Sequence, residues 1–81
     1  MSLALGEMEL REQLMRANEQ FRRLAAEHKM YADQLEKLTS RAYLTEDEKL
    51  QETTLKKKKL MLKDQMYSMV QRYRRELEGQ P

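Results

Sequence analysis

From Leu10 to Ala42 the apolar positions advance in alternating steps of four and three. The series is Leu10, Leu14, Ala17, Phe21, Leu24, His28, Tyr31, Leu35, Leu38 and Ala42, with charged and polar residues filling nearly everything between. This is a heptad, with Leu14, Phe21, His28, Leu35 and Ala42 at a, and Leu10, Ala17, Leu24, Tyr31 and Leu38 at d. An apolar stripe of this kind is unfavourable in water and has to lie against another helix. Gly6 is the last strong breaker before a run rich in Glu, Arg, Gln, Leu, Ala and Met, all good helix formers. The pattern predicts a first helix over residues 7–40.

No Gly or Pro interrupts residues 7–78, so one continuous helix is the rival reading. The seam argues against it. Continued past Ala42, the same register places Thr45, Lys49, Glu52, Lys56, Lys59 and Lys63 at core positions, and a buried face that turns fully polar must change direction or partner. Thr45-Glu46-Asp47-Glu48 reads as a capping box, with three acids suited to the positive end of a helix dipole. Thr39 to Leu44 just before it holds β-favouring and locally hydrogen-bonding residues that weaken a helix. The prediction is a turn over 41–45 and a second helix over 46–78, with a disordered leader at 1–6 and a tail at 79–81.

The second helix carries Leu55, Leu62, Met66, Met69 and Tyr73 on one stripe, flanked by Val70 and Leu77. Antiparallel pairing about the turn sets Leu24 near Leu62, Phe21 near Met66, Ala17 near Met69, Leu14 near Tyr73, Leu10 near Leu77 and Tyr31 near Leu55. The expected fold is therefore all-α, an antiparallel two-helix hairpin with coiled-coil-like packing. Its interhelix seam is Leu14, Phe21, Leu24, His28, Tyr31, Leu55, Leu62, Met66, Met69 and Tyr73.

Several apolar residues fall off this seam: Leu50, Leu60, Met61 and Tyr67 on the second helix, and Met8, Met15, Ala26 and Met30 on the first. Scattered surface apolars are ordinary, but two helices alone bury little, and Leu60 with Tyr67, like Met8 with Met15, recur at i, i+7. The expectation is a homo-oligomer, most simply a dimer of hairpins forming a four-helix bundle. Leu60, Asp64 and Tyr67 are its candidate contact. Asp64 has no basic residue at i±3 or i±4, so it is either solvated or meets an arginine across that contact.

Composition bounds the rest. With 81 residues there is one small domain at most, and its core is marginal without further burial. The absence of cysteine rules out disulfides and thiolate metal sites and is compatible with a reducing cytoplasm. The sequence shows no signal peptide, and no window approaches the length of a membrane span. A cytoplasmic location is expected.

Net charge is +2 but uneven: residues 56–75 hold eight basic side chains against one acidic. Lys56, Lys59, Lys63, Arg72, Arg74 and Arg75 are the candidate phosphate contacts. A solvated face, with Lys56, Lys59 and Lys63 covering the seam with their stems, is the simpler reading. His28 is the only histidine, and a register-setting seam residue explains it better than a metal ligand. It is expected near Lys58 and Lys59, so that protonation weakens the fold. No nucleophile–base pair, glycine-rich phosphate loop or metal cluster appears; no cofactor is expected and an enzyme is not.

Phe21-x-x-Leu24-x-x-x-His28-x-x-Tyr31 and Leu55-Lys56-Lys57-Lys58-Lys59-Leu60-Met61-Leu62-Lys63-Asp64-Gln65-Met66 give the chain a likeness to a known family. It resembles the YdcH-like family of small bacterial helical-hairpin proteins over roughly residues 20–72. The resemblance implies a cytosolic hairpin without known enzymatic activity, in a family named for unknown function. The sequence thus points to a structural or protein-interaction module acting through self-association. The alternative is a small nucleic-acid-associated protein using the basic stretch of the second helix.

Overall fold

The computed structural model describes residues 6–79. The leader expected over 1–6 lies outside the described residues except for Gly6, and the tail except for Gly79. Among the described residues the protein is all-α, with three helices and no strand: α1 (Glu7–Ala17), α2 (Glu19–Thr39) and α3 (Glu46–Leu77). The molecule measures 55 × 22 × 20 Å. That length is close to the roughly 48 Å of a 32-residue α3 alone, and excludes one continuous helix over residues 7–78, which would exceed about 100 Å.

Three helices stand where the seam predicts two, because the chain breaks at Asn18. Its backbone is extended, at φ −125° and ψ 115°. Asparagine is a poor helix former but a strong N-cap, and here its Oδ1 accepts the Phe21 amide at 2.9 Å to begin α2. Arg22 holds the other side of the break. Its Nη1 donates to the Met15 and Arg16 carbonyls, each at 3.0 Å, satisfying acceptors that the end of α1 leaves open.

The break lets α1 fold back as a third element. Leu10 and Leu14 are 1% and 4% exposed and cluster with Phe21, Met66 and Val70, with Leu24, Ala25, Met69 and Tyr73 packed around them. Two helices cannot enclose a side chain on all sides, whereas a third closes the open groove, and Val70 accordingly reaches 0% exposure. This corrects the expected register for the first helix. Leu10 joins Phe21 and Met66, while Leu77 stands 51% exposed outside the cluster. Ala17, a seam position, is exposed beside the break.

Late residues of α2 face early residues of α3, with Leu38, Leu55 and Leu62 buried nearer the connection. α2 ends where Thr39 Oγ1 and Ser40 Oγ bond back to the Leu35 and Lys37 carbonyls, at 2.9 and 2.8 Å. Thr45 then opens α3 with the reciprocal capping box read from the sequence. The Glu48 amide donates to Thr45 Oγ1 at 3.1 Å, and the Thr45 amide donates to Glu48 Oε1 at 2.9 Å. Arg41 forms an ion pair with the same Glu48 carboxylate and closes the connection.

Candidate interaction surface

The seam residues divide by depth. Leu14, Phe21, Leu55, Leu62 and Met66 are buried; Leu24, His28, Tyr31, Met69 and Tyr73 are half-buried. The polar members among the latter have partners or charged neighbours. The Tyr73 hydroxyl donates to Gln13 Oε1 of α1 at 2.8 Å. Lys58 Nζ lies 5.5 Å from the centre of the Tyr31 ring, a cation–π contact across α2 and α3.

His28 sits among cations from the other two helices. Its pKa lies below the ordinary value because burial disfavours the charged ring and because Lys59, Lys63 and Arg11 repel a proton there. The expected neighbour Lys59 acts on it, whereas Lys58 is placed over Tyr31. The influence of Arg11, seventeen residues earlier in the chain, follows directly from the folding back of α1.

The basic residues of α3 do not form one patch. Helical spacing puts Lys56, Lys59, Lys63 and Arg74 along one edge, and Arg72 and Arg75 on another. Lys56 pairs with Glu52 at 3.7 Å, and Lys59 is half-buried. Arg74 is half-buried too, with its Nε enclosed and without a hydrogen-bond partner. Arg72 lines a shallow cleft at the break together with Leu14, Asn18, Met69, Tyr73 and Glu76.

Leu60 and Tyr67 are 58% and 53% exposed, and Asp64 between them is exposed as well. Leu50 at 68% and Met61 at 61% add apolar surface elsewhere on α3, and Met8 at 74% does so on α1. No cluster of three or more His, Cys, Asp or Glu side chains suited to a metal occurs among the described residues. Nor is any described helix long and apolar enough to cross a membrane.

Reading the seam alone overlooked Asn18, Arg22 and Gln13, the three polar residues that set and latch the position of α1. Asn18 carried a signal: an asparagine followed by Glu19, with Phe21 at the third helical position, is a good helix start. Arg22 and Gln13 carried none, since their partners are defined only once the chain folds back.

Fold and surface together define a small all-α protein whose distinguishing features are a three-helix core and a basic α3 with exposed apolar side chains. The family model described as "Protein of unknown function (DUF465)" matches residues 21–70, more than half of the chain, and the protein belongs to that family. The YdcH-like resemblance agrees with this membership. The matched stretch spans all but the first two residues of α2 and most of α3, and does not include α1. Neither the curated proteins nor the solved structures contain a match to the chain.

Proposed function

We propose that this protein is a non-enzymatic structural or protein-interaction module that works through self-association in the cytoplasm. The observation that supports this most is the apolar surface left on α3, where Leu50, Leu60, Met61 and Tyr67 are all more than half exposed. Among the described residues the buried hydrophobic core consists of eight side chains. A small domain with so limited a core gains stability by covering further apolar surface, and exposed apolar patches mark association sites. A four-helix bundle of two copies is the simplest closed assembly. The cytoplasmic location rests on the family resemblance.

Light scattering across a concentration series tests the reading. The expected result is a concentration-dependent dimer, weakened by Leu60→Ser and Tyr67→Ser. A monomer up to high protein concentration would overturn it.

Nucleic-acid association is the second reading, favoured by the edge of Lys56, Lys59, Lys63 and Arg74. It requires binding to generic DNA or RNA that falls steeply with salt and weakens when Lys56 and Lys59 become Gln. The absence of binding at low salt removes it.

A further inference from the structure

Three helices bring cations to one place. Phe21 of α2 and Met66 of α3 share the core cluster, and the two helices run antiparallel. One heptad nearer the connection the same faces carry His28 and Lys59, which oppose one another as Phe21 and Met66 do. Lys58 over the Tyr31 ring holds that register. Lys63 lies one turn beyond Lys59 and one heptad before Val70, which packs in a cluster with Leu10 of α1. Arg11 follows Leu10. The charges that act on the His28 ring are Lys59 and Lys63 from α3 and Arg11 from α1.

These cations have little acid to answer them. Among the described residues neither Lys59 nor Lys63 has an ion-pair partner. Arg11 has only Glu7, one turn earlier on its own helix, with Nε and Oε1 3.9 Å apart. That Nε is enclosed and makes no hydrogen bond, so packing rather than a partner holds the guanidinium. Arg11, His28 and Lys59 are all half-buried. Like charges repel more strongly out of water, and two lysines one turn apart already oppose each other on a helix. A solvated face spreads its charges outward along one helix, whereas here they gather from three.

We propose that Arg11, His28, Lys59 and Lys63 form a binding site for one small multivalent oxyanion, a phosphate or diphosphate group. A tetrahedral oxyanion accepts hydrogen bonds from several directions at once, which suits donors arriving from three helices. A polynucleotide backbone suits cations strung along an edge, and Arg11 and His28 stand off the basic edge of α3. The bound anion supplies the missing countercharge and ties α1 to the two long helices. Protonated His28 adds a charged donor, so anion binding and protonation of the ring favour each other. The site does not depend on self-association and stands for a monomer or a dimer alike.

The test titrates the full chain with inorganic pyrophosphate at constant ionic strength, followed by proton–nitrogen NMR. The expected result is saturable binding, with shifts centred on Arg11, His28, Lys59 and Lys63. Lys63→Gln and Arg11→Gln should each weaken it about tenfold, as the loss of one charged hydrogen bond implies. Lys57→Gln removes the same charge from an exposed position outside the cluster and should leave binding unchanged. Lys63 is exposed, so Lys63→Gln serves if Arg11→Gln does not fold. Sulfate keeps its double charge near neutral pH and should bind more tightly at about pH 5.5 than at about pH 7.5, with His28→Gln removing the difference.

Binding that does not saturate, or that Lys57→Gln weakens as much as Lys63→Gln, overturns the site in favour of diffuse attraction. Sulfate affinity that is the same at both pH values overturns the part given to His28. An oligonucleotide that displaces pyrophosphate with a steep salt dependence, and that Lys57→Gln weakens alike, assigns these cations to nucleic acid instead.

Discussion

The Tyr73 hydroxyl of α3 donates a 2.8 Å hydrogen bond to Gln13 Oε1 of α1, joining positions sixty residues apart in the chain. The bond is half-buried and holds the folded-back helix to the end of α3. Tyr73→Phe removes the donor while keeping the ring, and is expected to lower stability by about 1 kcal/mol. In a chain of this size that is a drop in Tm of roughly 4–8 °C. Thermal melts followed by circular dichroism check it; an unchanged Tm means that the latch does not hold α1 in solution.

Leu10 and Leu77 separate the observed packing from the register of a straight pair of helices. Leu10 is 1% exposed within the core cluster, and Leu77 is 51% exposed outside it. Leu10→Ala is expected to cost about 2–5 kcal/mol, enough to unfold much of so small a domain. Leu77→Ala should cost less than about 1 kcal/mol. Denaturant titration of both variants decides; equal costs would place the two leucines opposite one another and contradict the folded-back α1.

The difference between the seam and the fold lies at particular residues. The turn was legible because Thr45 and Glu48 act on each other three residues apart, and a local interaction is written in local sequence. The pairing of Phe21 with Met66 was legible because both lie within helices whose apolar period is regular. The break at Asn18 was not, because the heptad passes through it without a missed step, and periodicity reports which face is apolar rather than whether the axis bends. What decides the bend is tertiary: a third helix buries Val70 completely, and the Asn18 and Arg22 bonds make the corner. The His28 environment was half legible, since Lys59 follows from the pairing of the two long helices and Arg11 only from the corner.

Thr45→Ala tests the turn by itself. The substitution removes the acceptor for the Glu48 amide and leaves the helix sequence of α3 intact. A loss of about 1 kcal/mol is expected. Glu48→Gln retains an oxygen for the Thr45 amide but removes the charge that pairs with Arg41, so its effect should be smaller. Equal stability of Thr45→Ala and the parent chain in urea titration would show that the cap contributes nothing.

Acid should weaken this fold in two separate windows. His28 has a folded pKa below its ordinary 6.5, through burial first and then repulsion from Lys59, Lys63 and Arg11. Between the folded value and 6.5 the unfolded chain binds more protons than the folded one, so stability rises with pH there and is lost on acidification. Glu48 acts lower. The Thr45 amide, followed by the Arg41 charge, holds its carboxyl below the ordinary 4.5. Its contribution is complete above that value and is lost as pH falls through the folded pKa. The expected outcome is a lower Tm at about pH 5.5 than at about pH 7.5. His28→Gln should flatten this upper step while leaving the decline below the Glu48 range in place. Parent melts that coincide at the two upper pH values would show that His28 takes up its proton as readily in the folded chain as in the unfolded one, and with it that the cations of α1 and α3 do not act on the ring.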